Sequence, residues 1–122
     1  MELSIAQVAE AFSRHRFELT YSYLAEDIRW NLVGGEQLAG RGAVTRACEG
    51  SAEYLARVTT TFTKFRIVVG DRCVVIDSEA TYAEPGENAS AIASCDLYDF
   101  ADGKLIGITS YTIPLGESSD TP

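Results

Sequence analysis

Apolar residues recur at helical spacing near the start of the chain, where Ile5, Val8, Ala9 and Phe12 fall on one face. Ser4-Ile5-Ala6-Gln7 has the spacing of a capping box, so a first helix is predicted from about Ser4 to Arg14. Phe17, Leu19 to Leu24 and Ala25 form a second short amphipathic stretch, which the solvated, turn-forming Glu26 and Asp27 are expected to end. Ile28 to Val33 reads as a strand stopped by Gly34-Gly35, with Gln37 to Ala39 as a short partner. Gly40-Arg41-Gly42 then leads into a third helix, whose inner face is marked by Val44, Ala47, Cys48, Ser51 and Leu55.

From Val58 onward the pattern changes to β-branched and aromatic residues. Thr59 to Val69 and Arg72 to Ala83 are predicted strands joined at Gly70-Asp71, and Pro85-Gly86-Glu87-Asn88 makes the following turn. Two further long strands between Ala89 and Leu115 meet at Asp102-Gly103. On the first of them, one parity is Ser90, Ile92, Ser94, Asp96, Tyr98 and Phe100, a mixture of large apolar groups, hydroxyls and one acid that suits a pocket wall. The other parity, Ala91, Ala93, Cys95 and Leu97, is small and apolar and suits flat packing. Helices followed by a long antiparallel sheet define an α+β domain, and the twist of such a sheet should wrap it around the helices and leave a cone-shaped pocket. One domain is expected over residues 1–115, with the Gly-, Ser- and Asp-rich residues 116–122 as a disordered tail.

Composition narrows the partners. A net charge of −8 on 122 residues argues against nucleic acid and anionic membrane surfaces, which demand clustered Lys and Arg. The three cysteines, Cys48, Cys73 and Cys95, are an odd number in apolar surroundings and read as reduced thiols. Without a signal-peptide pattern or a span-length apolar run, a cytoplasmic protein is expected. Gly40-Arg41-Gly42 lacks the residues of a phosphate loop, and Asp77 and Glu79, on the parity opposite Val74, Ile76 and Ala80, read as a solvated outer face. Neither a metal nor a cofactor is implied. His15, flanked by Arg14 and Arg16 in a connector, reads as exposed and inert.

The candidate chemistry therefore rests on Asp96. Among Ile92, Tyr98 and Phe100 its carboxyl would be desolvated, which raises its pKa toward a useful acid or a neutral hydrogen-bond donor. Alternatively it bonds Tyr54, Trp30 or a backbone group and fixes the sheet against a helix. Trp30 and Tyr98 serve as wide aromatic walls, Asn31 is unusual in a strand, and Tyr54, Ile92, Ser94, Ile108 and Ser110 complete the predicted lining. The outward rows Ala91, Ala93, Cys95, Leu97 and Gly107, Thr109, Tyr111, Ile113 form an apolar patch, which predicts a homodimer through the outer sheet face.

Three motifs carry a family resemblance: Leu24-Ala25-Glu26-Asp27-Ile28, Gly40-Arg41-Gly42-Ala43-Val44, and the closing segment from Asp96 through Phe100 and Gly103-Lys104-Leu105. Over about Ile5 to Leu115 the chain resembles the nuclear transport factor two-like superfamily, of cystatin-like fold. Within it, the chain resembles the SnoaL-like branch of polyketide cyclases, ketosteroid isomerases and limonene epoxide hydrolases. The resemblance to ketosteroid isomerases implies an oxyanion-binding role for Asp96 and a neighbouring pocket aromatic at Tyr98. Their general-base aspartate falls on Asn31, whose amide does not accept and return a proton at neutral pH. The limonene epoxide hydrolase triad falls on Ser78, Ala80 and Ser110, and the late acid of SnoaL-type cyclases also falls on Ser110. Three readings stay open: a module binding a hydrophobic small molecule, an isomerase or cyclase-type enzyme using Asp96 on an apolar ring-bearing substrate, and a domain serving assembly only.

Overall fold

The computed structural model describes residues 2–117. Helix α1 spans Ile5–Ser13, and its N-terminus carries the capping box, with Ser4 accepting from the Gln7 amide and the Gln7 side chain accepting from the Ser4 amide. The segment expected to form a second helix is instead two turns of 3-10 helix, Phe17–Leu19 and Tyr21–Tyr23. Thr20 bonds its own hydroxyl back to the Phe17 carbonyl at 2.7 Å, a local contact that competes with helix continuation. Glu26 and Asp27 consequently lie inside strand β1, Leu24–Leu32, rather than ahead of it. The short strand β2, Gln37–Ala39, and helix α2, Arg41–Leu55, follow.

Strands β3 (Thr59–Val69), β4 (Cys73–Ala83), β5 (Ser90–Ala101) and β6 (Lys104–Glu117) form an antiparallel meander. The six-stranded sheet has the order β2-β1-β6-β5-β4-β3, and β1 joins it parallel to β6 after a long excursion of the chain. The β5–β6 turn places Asp102 at φ 52° and Gly103 at φ 76°, the two positive values that a tight hairpin of this hand requires. Gly116 and Glu117, assigned above to the tail, belong to β6; residues 118–122 lie outside the described residues.

Register breaks curve the sheet. Thr63 is an extra residue on β3 between the pairs Phe62–Ala80 and Lys64–Glu79, so Phe62 and Phe65 both face inward although they are three apart. Two further breaks fall near the ends of the β5–β6 pairing, where Ile106 and Leu115 are the extra residues, so pairing from Ile92 to Asp99 runs uninterrupted. The concave face holds the core: Val8, Ala9 and Phe12 of α1 and Val44 and Cys48 of α2 pack on Leu24, Ile28, Ile76, Tyr98, Leu105 and Ile108. Each large side chain fully removed from water there contributes about 1.5–3 kcal/mol. On the convex face, Lys64 pairs with Asp77 at 3.2 Å and Arg66 with Asp77 at 3.4 Å. Cys48, Cys73 and Cys95 are free thiols, and burial pushes Cys48 up to about 12.

Candidate functional site

The core does not fill the concave side completely. Between the sheet, the end of α1 and the last turns of α2 lies a cavity of about 680 Å³, lined mainly by aromatic and apolar side chains with several hydroxyls. Strand alternation decides which residues reach it. Ser90, Ile92, Ser94, Asp96 and Tyr98 of β5 do so, as do Ser78 and Tyr82 of β4 and Ser110 and Thr112 of β6.

Asp96 lies in a group of hydroxyls. Ser13, the last residue of α1, donates to Asp96 Oδ2 at 3.0 Å, and its oxygen is 2.6 Å from the hydroxyl of the fully buried Tyr98. Burial raises the pKa of Asp96 above the ordinary aspartate value, and the hydroxyls of Ser110, Ser13 and Tyr98 oppose that shift only in part. Burial and the neighbouring Asp96 hold Tyr98 well above an ordinary phenol, so it remains a neutral hydroxyl. The partners expected for a structural Asp96, Tyr54 and Trp30, are not the ones found; the Trp30 indole donates to Ser110 Oγ at 3.0 Å.

A second polar pair stands on the same wall. His15 follows α1 in the left-handed region, at φ 67°. Its amide bonds the Phe12 carbonyl and the Arg16 amide bonds the Ala11 carbonyl, the two contacts of a Schellman helix end. That geometry turns the imidazole inward among Phe17, Phe62 and Tyr82, with ring centroids 5.7, 5.8 and 6.0 Å away, and sets Nε2 3.1 Å from the Tyr82 hydroxyl. Burial lowers the His15 pKa and raises that of Tyr82. The expectation of an exposed, inert histidine is thus overturned: the residue is part-buried and lines the cavity. Its flanking arginines misled, because Arg14 turns away to Glu10 at 3.1 Å and lies over the Phe65 ring at 3.8 Å.

Of the residues expected in the lining, Trp30, Tyr54, Ile92, Ser94, Asp96, Tyr98 and Ser110 meet around this cavity, and two do not. Asn31 pairs with Thr109 and Gln37 on the convex side, because its neighbour Trp30 takes the inward position. Ile108 faces inward but lies deeper, 2% exposed in the core cluster. The inward residues of β1 around the cavity, Trp30 and Leu32, carry no carboxylate. Ser13, His15 and Phe62 were missed, and Tyr82 was left out of the expected lining. Ser13 was accessible to the helical period, four residues after Ala9, and Tyr82 to the strand period, two after Ala80. Among the described residues no group of three metal-ligating side chains converges.

With this geometry in hand, the family is defined. The model of the SnoaL-like domain matches residues 5–108, and the chain belongs to that family. An NTF2-like protein of unknown function from Cytophaga hutchinsonii is 24% identical with a TM-score of 0.77, over 87% of this chain and 93% of that one. A candidate polyketide cyclase from Silicibacter sp. TM1040 is 15% identical with a TM-score of 0.70, over 89% and 85%. An LEH-like epoxide hydrolase from M. tuberculosis is 18% identical with a TM-score of 0.66, over 88% and 81%. At these identities the likeness is one of fold. Among curated proteins none matches the sequence. No described helix is long and apolar enough to cross a membrane.

Proposed function

We propose that the cavity binds an apolar, ring-bearing small molecule and that Asp96 gives a hydrogen bond to a carbonyl or hydroxyl oxygen on it. The observation that carries this reading is the position of Asp96: a carboxyl with a raised pKa in the wall of a cavity of about 680 Å³, fixed by Ser13. That volume is in the range of small-molecule sites, roughly 300–1,000 Å³. Phe12 and Trp30, with centroids 5.1 Å apart in an edge-on arrangement, give a ring-shaped ligand an apolar corner. Ser78, Ala80 and Ser110 offer neither carboxylate nor guanidinium, so the water activation of an epoxide hydrolase is not the chemistry supported. An isomerase- or cyclase-type role, to which the candidate cyclase is a parallel, is compatible with the same Asp96.

The domain is further proposed to act as a homodimer. On the convex face Ala93 pairs with Ile113 and Cys95 with Tyr111, and Tyr111 and Ile113 are 47% and 60% exposed. An apolar strip of this kind, flanked by the Lys64–Asp77 pair, suits a second copy of itself.

Binding is tested with 2-tetralone carrying carbon-13 at the carbonyl. Wild type should move the carbonyl resonance downfield, as a hydrogen bond to the oxygen does, and should quench the single tryptophan, Trp30, in the cavity wall. Asp96→Asn should weaken binding and reduce the carbonyl shift. Quenching that is absent in wild type, or a carbonyl shift identical in Asp96→Asn, contradicts the reading.

A further inference from the structure

One row of the cavity floor has no part in the binding mode proposed above. We infer that Ser78, Ser94 and Thr112 form a second polar subsite, which selects ligands bearing a second, uncharged oxygen about 7 Å from the one held at Asp96. This subsite rests on the binding mode proposed above and adds a second anchor to it.

Sheet register places the three hydroxyls side by side. Ser78 of β4 pairs with Ser94 of β5, and Ser94 pairs with Thr112 of β6, so they stand in one row across the strands, and all three line the cavity. The row on one side holds Ile76, Asp96 and Ser110, and the row on the other holds Ala80 and Ile92. Directly opposed side chains on one face lie about 5 Å apart at Cβ, and successive inward residues along a strand about 7 Å apart. Ser94 therefore stands one such step from Asp96, with a hydroxyl on either side of it.

The hydroxyls of the two rows differ in their partners. Ser110 accepts from the Trp30 indole, and Asp96 itself is held by Ser13. Among the described residues, the side chains of Ser78, Ser94 and Thr112 make no hydrogen bond, to one another or to any other group. Ser78 is only 5% exposed, so its hydroxyl is shut off from bulk water and borders the cavity with no protein partner. A buried polar group left unpaired costs free energy, and alanine, which stands two residues on at Ala80, would fill the place without that cost. An oxygen of a bound ligand supplies the missing partner. Ser94 is part-buried and Thr112 exposed, so the row runs from the closed wall of the cavity toward solvent.

The chemistry of the row narrows the group it takes. Each hydroxyl both donates and accepts a hydrogen bond. Among the described residues lining the cavity there is neither Lys nor Arg, so nothing there offsets the charge of a carboxylate or a phosphate. A hydroxyl, neutral and itself both donor and acceptor, fits best.

The test is isothermal titration calorimetry with 2-tetralone and two of its ring-hydroxylated derivatives. The oxygens of 7-hydroxy-2-tetralone stand at opposite ends of the fused rings, as two neighbouring rows require, and those of the 8-hydroxy isomer stand closer together. Wild type should bind the 7-hydroxy compound roughly tenfold more tightly than 2-tetralone, the worth of about one net hydrogen bond, and should gain nothing from the 8-hydroxy group. In the double variant Ser78→Ala, Ser94→Ala the tenfold preference should fall to less than twofold. Its urea midpoint should not fall below that of wild type, because the hydroxyls removed have no partner in the protein. Wild type that binds 2-tetralone and gains nothing from the 7-hydroxy group overturns the inference and leaves the binding reading standing. An equal gain from the 8-hydroxy isomer, an undiminished preference in the double variant, or a clearly lowered urea midpoint overturns it in the same way. Absence of binding by all three compounds overturns the binding reading and the inference with it.

Discussion

The hydroxyl of Ser13 donates to Oδ2 of Asp96 at 3.0 Å, joining the last residue of α1 to the middle of β5 across 83 positions of sequence. That contact places an acid at the junction of helix and sheet, where the α1 backbone ends and the chain turns back toward the cavity through His15. Two opposed effects meet in the carboxyl. Burial disfavours its charge and the hydroxyl favours it, and burial is the larger.

This balance predicts a pH dependence of stability. Asp96 has a folded pKa raised above the unfolded value of about 3.9, so its stabilising contribution is complete below that pH and is lost as pH rises through the folded pKa. His15 has a folded pKa lowered below about 6.5, so its contribution is present above that pH and is lost as pH falls through the folded pKa. Urea midpoints should show Asp96→Asn gaining on wild type as pH is raised from 4 to 7, and His15→Asn gaining as pH is lowered from 7 to 5. Differences that stay constant with pH would place both groups in water.

The left-handed backbone at His15 predicts an unusual order of substitutions. Glycine relieves strain of about 1 kcal/mol or more, which offsets part of the lost ring packing, so His15→Gly should lie within about 1 kcal/mol of wild type. Valine is smaller than histidine but β-branched, and His15→Val should be the less stable of the two by about 1–2 kcal/mol. Equal urea midpoints for the two variants would contradict the helix end described.

The apolar convex strip predicts self-association. Light scattering should give a dimer for wild type at micromolar concentration and a monomer for Ala93→Arg, because closing the two-fold interface would bury two unpaired charges at a cost of several kcal/mol each. A wild-type monomer, or a dimeric Ala93→Arg, would remove this face from consideration.

Most of the fold was legible because its periods are clean. The α1 capping box, the alternation along β5 and the Asp102-Gly103 turn are each set by neighbours in sequence. Asp96, Trp30, Tyr98 and Ser110 could be gathered because alternation puts them all on the concave side. What failed was non-periodic. Asn31 was placed inward by a family comparison although its neighbour Trp30 already took that position. Phe62 and Phe65 share a face only because Thr63 bulges, which no two-residue period foretells. His15 lies beyond the helix, and its direction comes from one positive φ angle, so neither period applies to it.

The central claim, that Asp96 is a desolvated acid facing a ligand cavity, is tested most directly by following its side-chain carboxyl carbon through a pH titration by NMR. The midpoint should lie above the ordinary aspartate value of about 3.9, should rise further in Ser13→Ala, where a hydrogen bond to the charged form is lost, and should rise again when 2-tetralone is bound. A midpoint at or below the ordinary value, unmoved by Ser13→Ala and by 2-tetralone, would contradict the account.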